Sequence, residues 1–240
     1  MGKVLWFPTL TALGLLATPA GIGAEEREEP GSSWSTELTV AKGDLASNGR
    51  NPYFILEPGY KLVLEGGDAR TTITVTDETR IIDGVETRVV EGCQTHDGEL
   101  IEICRTYFAV SQRTHDVFCL GEDVDIYLAG CVVAHDGSWI TGIDGATCSL
   151  VLPGQPRLTV TRYEEAAVEV REGPLNRVEV VGLGITVVTP AGEFKNCLRI
   201  METSRTVPVN IVHKYYCPGV GLVQADDMKL ITYGNPAGTA

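Results

Sequence analysis

The chain has 240 residues, with 32 acidic against 19 basic side chains for a net charge of −13, and it carries seven cysteines and four histidines. That balance excludes nucleic acid and anionic membrane surfaces as partners, because both require a basic footprint. No stretch after residue 24 approaches the roughly 18 uninterrupted apolar residues of a spanning helix, so no integral membrane segment is expected.

In chain order, residues 1–24 read as a signal peptide: Lys3, then "VLWFPTLTALGLLA", then small residues in "TPAGIGA". The expected protein is exported, periplasmic or extracellular, and its mature part has 18 basic against 32 acidic residues, a net charge of −14. Residues 25–50 ("EEREEPGSSWS", "AKGDLASNGR") are polar and glycine-rich, which predicts a flexible leader with one short strand at "TELTV". From residue 51 to 236 alternation at a period of two takes over, punctuated by Gly, Asp and Pro.

The clearest predicted strands are 61–66, 71–77, 85–92 and 99–110, followed by "DVFCLG", "DVDIYL", "CVVAH", "RLTVTRY", "RVEVVGLGITVV", "FKNCLRIMET", "NIVHKYY" and "MKLITY". In "DVDIYL", Val124, Ile126 and Leu128 share one face and Asp123, Asp125 and Tyr127 the other. Tight turns are expected at 83–84, 97–98, 129–130 and 191–192. "YEEAAVEV" fits a helix or a strand, and no βαβ rhythm exists. The fold class is therefore all-β: a single antiparallel domain, a curled sheet or incomplete β-barrel of twelve or more strands.

Cysteines in an exported chain favour disulfides, and an odd number leaves one free or paired with another chain. His96, His115 and His135 each precede an aspartate, and every histidine has a cysteine three or four residues away. Residues four apart on a strand lie roughly 13 Å apart, too far to share an ion with bonds of about 2.0 to 2.3 Å. The reading is hairpin turns beside disulfides, with no metal and no cofactor. A turn at Asp97-Gly98 sets Cys93 opposite Glu102 and leaves Cys104 one step along the same face; a bulge, or a turn centred on Gly98-Glu99, brings the two opposite, and Cys93–Cys104 is the disulfide proposed. "GEDVDIYLAG" opens like a calcium loop but lacks its glycine and terminal glutamate. GxSxG, HExxH, P-loop and GxGxxG motifs are absent, and no catalytic residue is assigned. Trp139, Tyr215 and Tyr216, with Tyr107 and Phe108, are the aromatics that could line a ligand cleft.

"NPYFILEPGYKLVLEGG", "TVTDETRIIDGVETRVVE", "GEDVDIY", "GSWITGIDGA", "VVTPAGEFKNCL" and "HKYYCPGVGLV" together resemble a family of exported bacterial β proteins, the TapB-like proteins. Its signatures have the form NPYF-x-L-x-PG, TPAG-x-F and KYYAPGVGLV, and the resemblance spans roughly residues 51–232. It implies a β fold and supplies no activity and no catalytic residue. Cys119 and Cys217 stand where those proteins carry Tyr and Ala, while Cys197 matches a family cysteine. The expected function is a non-enzymatic module that binds an apolar small molecule or lipid, or an envelope-associated interaction protein. The alternatives are a hydrolase using a carboxylate or a His-Asp pair, and a metal-binding protein.

Overall fold

The computed structural model describes residues 41–158, 162–164, 176–204 and 211–235. The signal-peptide reading, the "TELTV" strand and most of "YEEAAVEV" lie outside them. Seventeen strands form among the described residues. The first eight are β1 (Leu45–Ala46), β2 (Gly49–Asn51), β3 (Phe54–Leu56), β4 (Lys61–Gly66), β5 (Ala69–Ile82), β6 (Val85–His96), β7 (Glu99–Ser111) and β8 (Val117–Leu128). Short pieces follow: β9 (Cys131–Ala134), β10 (Trp139–Ile140), β11 (Ser149–Leu152) and β12 (Arg162–Glu164). The C-terminal group is β13 (Asn176–Thr189), β14 (Gly192–Ser204), β15 (Ile211–Cys217), β16 (Gly221–Ala225) and β17 (Met228–Gly234).

Fifteen of these form one sheet in the order β10-β8-β7-β6-β5-β4-β17-β16-β15-β14-β13-β12, with β1 beside β7 and with β9 and β11 beside β8. Every pairing is antiparallel, and β17 joins the two halves by pairing with β4. The ends of the order do not pair, so the sheet is open rather than a closed barrel. Among the described residues no helix is long and apolar enough to cross a membrane.

The expected tight turns hold at three places. Asp83-Gly84, Asp97-Gly98 and Ala129-Gly130 all have positive φ at both central residues, the requirement of a type I′ hairpin. The fourth moves by one residue: Pro190-Ala191 form the turn and Gly192 opens β14. "DVFCLG" and "DVDIYL" are one continuous strand, β8.

Residues 41–50, assigned to a flexible leader, are built into the fold. Lys42–Asp44 make a 3₁₀ turn, and β1 pairs with β7 through Leu45↔Ser111 and Ala46↔Val110. The buried Arg88 guanidinium holds the next residue, its Nε donating to the Ser47 carbonyl at 3.0 Å. Polar composition alone reads as disorder; here backbone pairing and one buried cation tie the segment down.

Two apolar clusters result. The larger fills the inside of the curl, where Leu64, Phe108, Val124 and Leu152 meet Leu198, Ile200, Leu222 and Leu230. The smaller lies on the outer face of β5–β8 and contains Ile82, Val85, Val89, Tyr107, Ala109, Phe118 and Leu120. Leu45, Ile140, Cys148 and Leu150 pack over it.

A disulfide joins Cys197 to Cys217, whose Cα atoms are 4.2 Å apart. The pairing Leu198↔Tyr216 carries the β14–β15 register to these two residues, which face each other directly. Opening this twenty-residue link removes a restraint on the unfolded chain. Residual hairpin contacts in the unfolded ensemble hold the effect at about 2 kcal/mol, the low end for such bonds. The Cys197→Ala/Cys217→Ala protein is expected to melt about 4 to 8 °C below the parent in calorimetry. An unchanged midpoint in the parent, with and without reductant, would contradict it.

Candidate functional site

Two constellations stand out, one on each face of β8, and a single glycine separates them. β8 pairs with β7 at Thr106↔Glu122 and again at Phe108↔Cys119, so one extra residue bulges out between these pairs. Gly121 sits in that bulge at φ +152, and a Cβ there would lie 2.6 Å from the Trp139 carbonyl oxygen. Glycine thus permits both the bulge and the close approach of β10. The bulge switches the strand's parity: Cys119 faces the inner cluster, Leu120 the outer one, and Val124 the inner one again.

The switch turns Glu122 into the interior, where it is 1 % exposed. The Cys104 thiol donates to its Oε2 at 3.4 Å, and the Trp139 indole Nε1–H donates to its Oε1 at 3.1 Å. Burial pushes the Glu122 carboxyl up to about 7; these two donors and the Lys214 ammonium oppose the shift, and Glu102 adds to it. The Cys104 thiol is pushed far upward, first by burial and then by Glu122, so it is an inert hydrogen-bond donor rather than a nucleophile. Opposite them, buried Lys214 reaches Glu202 with Nζ 2.8 Å from Oε1 and 2.7 Å from Oε2. This interior holds protons and charges.

The outer face holds a ligand-sized space. A cleft of about 280 Å³ opens between residues 42–45, the β5–β6 turn and residues 141–148. Leu45, Val85, Leu120 and Ala146 give it apolar walls, and Lys42, Asp83, Thr141 and Cys148 are among its polar lining. Lys42 Nζ lies 2.6 Å from Asp83 Oδ2, an ion pair well exposed to solvent. Thr141 N–H donates to the Leu120 carbonyl at 2.9 Å, which fixes the wall to β8, while Thr141 Oγ1 is buried without a partner. Burial pushes the Cys148 thiol upward.

The residues singled out in the sequence fall elsewhere. Cys93 and Cys104 are both free thiols, which overturns the proposed pair. The hairpin does carry a bulge, between Gln94 and Thr95, and it sets Cys93 opposite Ile103 and Cys104 opposite Gly92. A shift of one residue, where two were needed, puts the two thiols on opposite faces of the sheet. Trp139, Tyr215 and Tyr216 are not among the residues that line the 280 Å³ space. Trp139 is bonded to Glu122, and Tyr215 is half-buried on the strand face alternate to Tyr216. Buried Tyr216 borders a separate apolar cavity of about 20 Å³ with Phe54, Tyr60 and Val220. That is room for one water and no ligand. Phe108 and Tyr107 are core residues of the inner and outer clusters respectively.

The histidine pairs resolve into local structure. His96 stands beside the Asp97-Gly98 turn, 3.8 Å from Asp97. His135 Nδ1 lies 2.9 Å from Asp125 Oδ1, on a largely exposed ring. The same Nδ1 also lies 3.1 Å from the Val124 carbonyl oxygen. Among the described residues no group of three or more His, Cys, Asp or Glu is placed to hold a metal ion.

The burial of Glu122 and the cleft were both missed by sequence reasoning. For Glu122 the signal was present: it shares its parity with Val124 and Ile126, the buried face of "DVDIYL". The cleft had none, because its walls come from three segments far apart in the chain.

No family model matches the chain, and no curated protein matches it. Among solved structures, the chain is similar to a "putative lipoprotein" from Parabacteroides distasonis at 12 % identity and a TM-score of 0.38. The match covers 78 % of this chain and 100 % of that one.

Proposed function

We propose that this is an exported β-sheet binding module that holds a small, mainly apolar molecule in the cleft between residues 42–45 and 141–148. The observation that carries the reading is the cleft itself. Its 280 Å³ is close to the lower bound for small-molecule sites, and its apolar walls carry a few polar groups that can fix orientation. Export is supported by the signal-peptide pattern and by the disulfide, a bond that persists in oxidising compartments. Membership of the TapB-like exported proteins is part of the same proposal.

Native mass spectrometry of protein purified from its own host is expected to show a bound small molecule. Thr147 lines the cleft and is exposed, so Thr147→Trp fills the mouth without entering a core. That variant is expected to bind at least about tenfold more weakly, a loss of about 1.4 kcal/mol, with little change in melting temperature. Equal binding by parent and variant would place the ligand elsewhere. Absence of any bound or bindable apolar molecule would end the proposal.

A further inference from the structure

The polar groups of the cleft narrow its ligand to one chemical class, and this inference rests on the binding reading above. The mouth carries one cation and one anion, Lys42 and Asp83, 2.6 Å apart, and no other charged side chain lines the space. A lone anion docked on Lys42 would face Asp83 at once, and would also approach a chain of net charge −13. A lone cation docked on Asp83 would face Lys42. Only a ligand bearing both charges side by side complements the two together.

The pair is also cheap to separate. Exposed ion pairs contribute about 0 to 1 kcal/mol, so inserting a ligand's own charges between them costs little. Gly142, held at φ +85, places bare backbone beside Asp83, its Cβ position in ordinary contact at 3.8 Å from the carboxyl carbon. Thr141, a residue of the same wall, carries a hydroxyl buried without a hydrogen-bond partner. Below the mouth, Val85 and Leu120 belong to the outer core and offer only apolar surface. Size sets the remaining limit. At roughly 30 Å³ per water the cleft equals about nine waters, which suits a molecule of about nine to twelve non-hydrogen atoms.

We propose that the cleft takes a zwitterion with an apolar side chain, an aliphatic or aromatic α-amino acid. Its carboxylate lies on Lys42, its ammonium on Asp83, and its side chain runs down onto Val85 and Leu120.

Calorimetric titration of the mature protein tests this with four probes that share one 3-methylbutyl unit. They are L-leucine, 4-methylpentanoate with the anion only, isoamylamine with the cation only, and isoamyl alcohol with neither. Leucine is expected to bind at least about tenfold tighter than each of the other three, about 1.4 kcal/mol. Lys42→Met and Asp83→Asn are each expected to abolish that preference. The charge-swapped Lys42→Asp/Asp83→Lys protein should recover it, which separates charge recognition from loss of the pair itself. If the alcohol binds as well as leucine, the zwitterion is wrong and the apolar binding module stands. If either single-charge probe equals leucine, the two-charge recognition is likewise wrong. If none of the four binds, with phenylalanine also silent, both this inference and the binding reading fall.

Discussion

Replacing Lys214 with methionine is expected to destabilise the protein by about 3 to 5 kcal/mol, the largest effect of any single change considered. Lys214 is 3 % exposed and holds both oxygens of Glu202 within 2.8 Å. Removing the ammonium leaves a largely buried carboxylate on the inner face of β14 without its ion-pair partner. The deficit should therefore come from the stranded partner more than from the lost pair. Lys214→Met/Glu202→Leu should recover most of it, since two apolar side chains of similar volume suit this interior. Denaturant melts of the four proteins in the cycle measure the coupling. A single-variant cost below about 1 kcal/mol would show the pair to be solvated and peripheral. The same substitution should also raise the titration point of Glu122, because Lys214 helps to hold it down.

Glu122 makes the stability of the fold depend on pH in the direction opposite to a salt-bridged carboxylate. Its folded value, about 7, lies above the 4.5 of the free side chain. Below pH 4.5 both states are protonated and there is no penalty. Between 4.5 and 7 the unfolded chain ionises while the folded one stays neutral, so stability falls as pH rises. Above 7 the penalty is constant at roughly 3 kcal/mol. Glu122→Gln keeps the shape and an acceptor for Trp139 but cannot ionise. At pH 8 it should melt about 6 to 10 °C above the parent, and at pH 5 within about 2 °C of it. A difference between the two proteins that is equal at pH 5 and pH 8 would refute a buried, titrating Glu122. Trp139 offers a second readout, because its indole donates directly to this carboxyl and its emission should follow the same titration.

Much of this fold was legible from local chemistry. Asp-Gly at 83–84 and 97–98 named their turns because only residues tolerant of positive φ fit there. "KLVLEG" coincides with β4, since apolar alternation between two turns leaves no other choice. What failed was non-local. β1 and β10 are two residues long and have no periodicity to detect. The disulfide of the structure was within reach: strands at "FKNCLRIMET" and "NIVHKYY", paired antiparallel with 198 beside 216, set 197 opposite 217. The local pair Cys93 and Cys104 was preferred instead, and one bulged residue placed those thiols on opposite faces. A bulge also decided the buried site. The glycine in "LGEDVD" gave no sign that Leu120 and Glu122 would face opposite clusters, because parity is lost only through a neighbour that the strand's own residues do not specify.

The short strands on β8 have a bearing on how the protein behaves at high concentration. An open sheet ends in a row of unpaired backbone donors and acceptors, and a long flat row recruits further chains into fibres or precipitates. Along β8 that row is taken up in three pieces, by β11 at Val117–Cys119, β10 at Gly121–Glu122 and β9 at Ile126–Leu128. None of the three exceeds four residues, and the bulge at Gly121 breaks the line they follow. The segment 131–152 therefore acts as a sheath, and a chain trimmed of it would bare a twelve-residue strand to its neighbours and come out of solution.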